Sequence, residues 1–189
     1  FKFKYGDTWS DGVENHNFPG IKWVDDDEDG NSNITLPAGI YDFYYKKATN
    51  QVYIAAVYLR DVTNTWGTIC LPHASTSFSG AKFYEVSSLD PTKGLWLDEI
   101  EAEAQLVAGK PYVFEATAST IKVTYTDEAV ATPVEGANGL TGTFTDIAAA
   151  EDGVLVGNYI IGGNKVHVAT AQNDLPANRA YIDAALVPN

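Results

Sequence analysis

Apolar and polar positions alternate with a period of two along most of this chain, which predicts short strands rather than helices. The segment 34–57 shows the pattern best: strand, Pro37-Ala38-Gly39 turn, strand, polar turn at 46–51, strand. In its middle strand Tyr41, Phe43 and Tyr45 share one face, while Ile40, Asp42, Tyr44 and Lys46 share the other. From Trp66 onward strands are predicted at 67–71, 81–87, 94–98, 111–116, 120–125, 140–145, 157–161, 165–169 and 180–186. Ile121, Val123 and Tyr125 alternate with Lys122 and Thr124, as in a half-buried strand. Gly162-Gly163-Asn164 between two such runs signals a hairpin. The segment 97–107 reads two ways: Leu97, Ile100, Ala104 and Val107 have helical spacing, and Ile100, Ala102, Ala104 and Leu106 alternate like a strand. The expected fold class is all-β, built of antiparallel β-sandwich regions. The chain divides at the polar stretch from Arg60 to Asn64 into a region 1–60, with a small sheet, and a region 61–189, with two packed sheets.

Composition agrees with that class. The 189 residues leave room for one large or two small cores, and 16 glycines, 11 tyrosines and eight phenylalanines suit a turn-rich β protein. A net charge of −13 with only 12 Lys and Arg argues against nucleic acid and an anionic membrane surface as partners. That charge serves solubility, and neutral glycans and calcium stay compatible with it. No run of about 18 apolar residues is present, so no membrane-spanning helix is predicted. The single cysteine, Cys70, rules out an intrachain disulfide. In Cys70-Leu71-Pro72 it closes an apolar strand with no basic neighbour, the setting of a buried, inert thiol. The chain starts at Phe1 without an initiator methionine or a leader. It is therefore expected to be a processed or recombinant fragment of a longer exported protein with upstream domains.

Candidate chemistry is sparse. Asp25-Asp26-Asp27-Glu28-Asp29-Gly30-Asn31 contains Asp-x-Asp-x-Asp-Gly, whose alternate oxygens at Asp25, Asp27, Asp29 and Asn31 could wrap calcium. The loop departs from an EF-hand where Leu36 stands in place of the closing Glu, so a solvated acidic turn is the competing reading. His16, His73 and His167 have no metal-ligand spacing. No Gly-x-Ser-x-Gly turn is present, and the carboxylates Asp98, Glu99, Glu101 and Glu103 form a charged face such as any acidic chain offers. The expectation is a protein that is not an enzyme and needs no cofactor, calcium aside. Aromatic residues carry the strongest signal, because the CH-rich faces of neutral sugars stack on rings while their hydroxyls bond Lys, Asn and Asp. Trp9, Trp23 and Tyr44, with Lys4 and Lys46, are the candidate glycan-binding residues. The competing reading has Trp9 and Trp23 covering a small core, and Trp66 and Trp96 are expected in the core.

Two resemblances extend this reading. Phe1-Lys2-Phe3-Lys4-Tyr5-Gly6-Asp7-Thr8-Trp9, together with Ala38-Gly39-Ile40-Tyr41-Asp42-Phe43, resembles the second half of a SusE/SusF-type starch-binding module. The front half of that module has no counterpart here. Further on, Trp66-Gly67-Thr68-Ile69-Cys70-Leu71-Pro72, Lys82-Phe83-Tyr84-Glu85-Val86, Leu106-Val107-Ala108-Gly109-Lys110-Pro111-Tyr112-Val113, Gly139-Leu140-Thr141-Gly142-Thr143-Phe144 and Leu175-Pro176-Ala177-Asn178-Arg179-Ala180-Tyr181 follow in order. Over 62–188 this series is similar to a C-terminal β domain of exported Bacteroidetes surface proteins. Together the resemblances imply a non-catalytic accessory region at the cell surface or outside the cell, binding an α-glucan or similar neutral glycan. They equally accommodate a structural or protein-interaction domain, an adhesin or spacer, with no sugar site.

Overall fold

A computed structural model describes residues 4–5, 8–9, 12–14, 22–26, 31–36, 38–48, 51–90, 93–101, 104–126, 131–136 and 139–187. For the strands before residue 36, and for Lys46, Gln51 and Tyr53, the description is of the backbone alone. In chain order the first strands are β1 (Lys4–Tyr5), β2 (Thr8–Trp9), β3 (Gly12–Glu14), β4 (Lys22–Asp26), β5 (Asn31–Thr35), β6 (Ile40–Lys46) and β7 (Gln51–Asp61). Then come β8 (Trp66–Cys70), β9 (Ser75–Ser79), β10 (Ala81–Asp90), β11 (Gly94–Glu99), β12 (Pro111–Ala116) and β13 (Thr120–Tyr125). The last are β14 (Leu140–Thr143), β15 (Tyr159–Gly162), β16 (Lys165–Val168) and β17 (Arg179–Ile182), followed by a 3-10 turn at Ala184–Leu186. The described residues are all-β, without an α-helix.

Three sheets hold the larger strands. The first runs β3-β7-β13-β9 with β6 also along β7, the second β11-β10-β12-β8, and the third β14-β17-β15-β16. Pairing is antiparallel throughout except between β3 and β7. Two separate hairpins, β1-β2 and β4-β5, flank β3 in the chain. The strand β7 runs unbroken through positions 60–61, pairing its first part with β6 and its last part with β13.

The second sheet is the middle layer, and β12 shows why. Pro111, Tyr112, Val113 and Phe114 are buried in succession, so this strand is apolar on both faces. Tyr112 and Phe114 pack with Ile69, Phe83, Ile121 and Val123 against the first sheet. Val113 points the other way, into a cluster with Val86 of its own sheet and Leu140, Ala180 and Ile182 of the third. Residues 62–188 were expected to form two packed sheets with a smaller one before them. Instead β9 and β13 join β6 and β7 in the first layer, because only a third layer can cover a middle strand with two apolar faces. Each fully buried large apolar side chain adds about 1.5–3 kcal/mol of transfer free energy, so the two interfaces are the main favourable term. A third cluster, of Leu155, Ile160, Ala169, Leu175 and Tyr181, lies on the far side of the third sheet. There Ile147 and Leu175 exchange backbone hydrogen bonds of 2.8 and 2.9 Å.

Turn chemistry matches the sequence where the sequence was specific. Gly162 pairs with Lys165, leaving Gly163 and Asn164 as a two-residue loop with φ of 56° and 63°. Both left-handed positions are what a hairpin matching strand twist needs. Asn178 has φ of 59° in the turn that launches β17. The ambiguous segment 97–107 resolves as strand to Glu99, and its other described residues, 100–101 and 104–107, are irregular chain from which Ile100 and Leu106 still reach the core.

Candidate functional site

The outward face of the first sheet carries the one candidate glycan residue whose side chain is described. Along β6, Tyr41, Phe43 and Tyr45 pair with Ala56, Ile54 and Val52, which are buried. Ile40, Asp42 and Tyr44 therefore occupy the opposite face, and Tyr44 is 56% exposed. Its hydroxyl donates to Asp42 Oδ2 at 3.2 Å, and Asp42 is ion-paired with Lys122 of β13. The hydrogen bond to Asp42 holds the Lys122 ammonium above its usual pKa. An open ring, a carboxylate and an ammonium thus lie together, and of the three only Tyr44 was singled out as a candidate from the sequence.

The other candidates are fixed only in their backbone. Lys4 pairs with Trp9 in the β1-β2 hairpin, Trp23 pairs with Ile34 in the β4-β5 hairpin, and Lys46 pairs with Gln51. Their side chains lie outside the description. Asp25 pairs with Ser32 and Asn31 with Asp26, while Asp27 and Asp29 lie outside the described residues. Trp96 corrects an expectation. It is 45% exposed, because β11 is the edge strand of the middle sheet and Leu95 and Leu97 take the inward positions.

A cleft of about 530 Å³ opens at the free edge of β8, where all three sheets meet. Arg60 of β7, Trp66 of β8, Phe114 of β12 and Arg179 of β17 line it, with His167 and Asp174. The Arg60 guanidinium lies 4.7 Å from the centre of the Phe114 ring, and its Nη1 donates to Thr68 O at 2.7 Å. Arg179 Nη1 donates to Tyr58 OH at 3.1 Å and to the carbonyls of Ala177 and Asn178 at 3.4 and 3.3 Å. Burial, and then the like charge of Arg179, bring the Arg60 pKa down to about 10, so the Arg60 guanidinium stays charged at neutral pH. Thr68 ties the cleft floor to the third sheet: its hydroxyl donates to Ala180 O at 2.7 Å and accepts from Ala180 N at 2.9 Å. A smaller cavity of about 290 Å³ also touches Trp66 and is lined chiefly by Leu95, Leu97, Val113, Ile161 and Val166.

Sequence reasoning missed this cleft. Arg60 was placed in the dividing stretch and Arg179 in a turn motif. The available signal was parity: Arg60 continues the inward series Val52, Ile54, Ala56, Tyr58. No protein-family model matches the chain, and no curated protein or solved structure is significantly similar to it.

Proposed function

We propose that this chain is a non-catalytic accessory region of an exported or cell-surface protein, and that the Tyr44 face binds a neutral glycan such as an α-glucan. The observation that carries this reading is the exposed Tyr44 ring beside Asp42 and Lys122 on an open sheet face. A pyranose stacked on the ring would place its edge hydroxyls near an acceptor and a donor. One exposed stacking contact contributes only about 1 kcal/mol. A second ring must therefore converge with Tyr44, and Trp9 and Trp23 are the candidates, with Lys4 and Lys46 as hydroxyl partners. Affinity electrophoresis through soluble starch tests the reading. The wild type is expected to be retarded, Tyr44→Ala to run free, and Trp9→Ala or Trp23→Ala to run faster than wild type. A wild type that is not retarded overturns it.

One observation favours the alternative of a structural or protein-interaction domain without a sugar site. Asp42, Tyr44 and Lys122 already satisfy one another, as groups on an ordinary solvated sheet face do. In that case Tyr44→Ala changes neither mobility nor binding.

A further inference from the structure

Only two arginines occur in the whole chain, 119 positions apart, and the fold brings both to one cleft. Ten lysines supply the rest of its positive charge. Both arginines rise from strands otherwise rich in apolar residues, where a charge is costly unless it has a use. Among the described residues neither is ion-paired to a carboxylate. Each makes its protein hydrogen bonds through Nη1 alone, so Nη2 and Nε of both keep donors that no protein acceptor takes, on side chains that line the cleft. Among the described residues no fully buried side-chain nitrogen lacks a partner, so these donors are not sealed from solvent.

We propose that the cleft at the free edge of β8 binds a hydroxylated carboxylate of the sugar-acid class, with Arg60 and Arg179 holding its carboxylate. The untaken Nη2 and Nε donors of a guanidinium form a planar fork that suits a carboxylate. Asp61 and Asp174 line the same cleft and set the rest of the preference. As acceptors they suit ligand hydroxyls, and as negative charges they disfavour a dianionic phosphate between the same walls. Trp66, half-buried at the rim with its ring 5.6 Å from that of Tyr84, supplies an aromatic surface for the CH face of a sugar ring. The volume falls within the range of small-molecule sites. This site lies apart from the Tyr44 face, so the failure of either proposal leaves the other standing.

Calorimetric titration of the whole chain at low salt decides it, with D-galacturonate, a short oligogalacturonide, glucose, acetate and inorganic phosphate as probes. Galacturonate, free or as a chain residue, is expected to saturate one site, and comparing the two forms shows which source the cleft prefers. Glucose and acetate, each lacking half of the complement, are expected to bind at least about tenfold more weakly. Arg179→Lys keeps the charge but loses the fork, and Arg60→Gln loses both. Each is expected to weaken galacturonate binding by about tenfold or more, while Tyr44→Ala leaves it unchanged. No saturation by either sugar acid at about 10 mM overturns the proposal. So does affinity maintained in Arg179→Lys, or phosphate binding more tightly than galacturonate. Should Arg60→Gln fail to fold for want of a donor to Thr68, the wild-type titration and Arg179→Lys still decide.

Discussion

Cys70 shows how much of a residue's chemistry its surroundings dictate. The thiol is fully buried at the end of β8 and donates to Gly109 O at 3.2 Å. Burial pushes its pKa up to about 12, from an ordinary value near 9. Only the thiolate reacts, so at neutral pH the reactive fraction falls by roughly a factor of ten for each unit of that rise. We expect Cys70 to resist alkylation by iodoacetamide in the native protein and to react at an ordinary rate in denaturant. Rapid native labelling, followed by mass spectrometry, would contradict this. Its burial was legible in the sequence because an apolar strand end without a basic neighbour has one reading. Arg60 was not legible in the same way. A charged residue followed by Asp61-Val62-Thr63-Asn64 looks like the start of a linker, and only the extension of β7 to Asp61 turns it inward.

At the scale of elements, legibility followed the purity of the pattern. The bounds of β12 and β13 match their predicted ranges, since one is an apolar run ending in polar residues and the other a clean alternation. Ser75–Ser79 was missed because Ser-Thr-Ser-Phe-Ser carries a single apolar residue, and pairing with β13 makes it a strand. The β8-β12 ladder also carries a test of packing. Gly67 pairs with Phe114, whose ring is 1% exposed and lies over the glycine. A Cβ added at Gly67 would come within 2.6 Å of Phe114 Cζ, closer than side chains tolerate. Phe114 is held among Ile69, Phe83 and Ile121, so the ring has little space to yield. We expect Gly67→Ala to destabilise the fold by about 1–3 kcal/mol, the usual cost of overpacking, measured as a lower urea midpoint. A midpoint equal to that of the wild type would show that the ring moves without cost.

At the scale of the molecule, the all-β class was legible but the number of layers was not. Period-two patterning reports which face of a strand is buried, and it falls silent on a strand buried on both, where the apolar run also fits a two-layer sandwich. Three layers mean two interfaces, and tyrosines are buried in each. Tyr112 and Tyr125 pack between the first and middle sheets, and Tyr84 between the middle and third. Burial raises the pKa of all three phenols, to about 12 for Tyr84 and Tyr112. At Tyr84 the hydrogen bond its hydroxyl donates to Glu115 Oε2, 3.0 Å, adds to the rise. An unfolded tyrosine loses its proton near pH 10, whereas these keep theirs in the native state. Between pH 10 and about 12 the folded protein therefore binds more protons than the unfolded chain, and stability falls as pH rises. Below pH 10 the contribution is fully present. Each such group can contribute a slope of up to about 1.4 kcal/mol per pH unit. We expect the urea midpoint to hold level from pH 8 to 10 and to drop steeply by pH 11.5. General charge repulsion would also grow with pH, and Tyr84→Phe separates the two causes. Removing that phenol takes away its share of the slope but leaves the net charge of the native protein in this range unchanged. A Tyr84→Phe protein with the wild-type slope would mean that its phenol is not what links pH to stability.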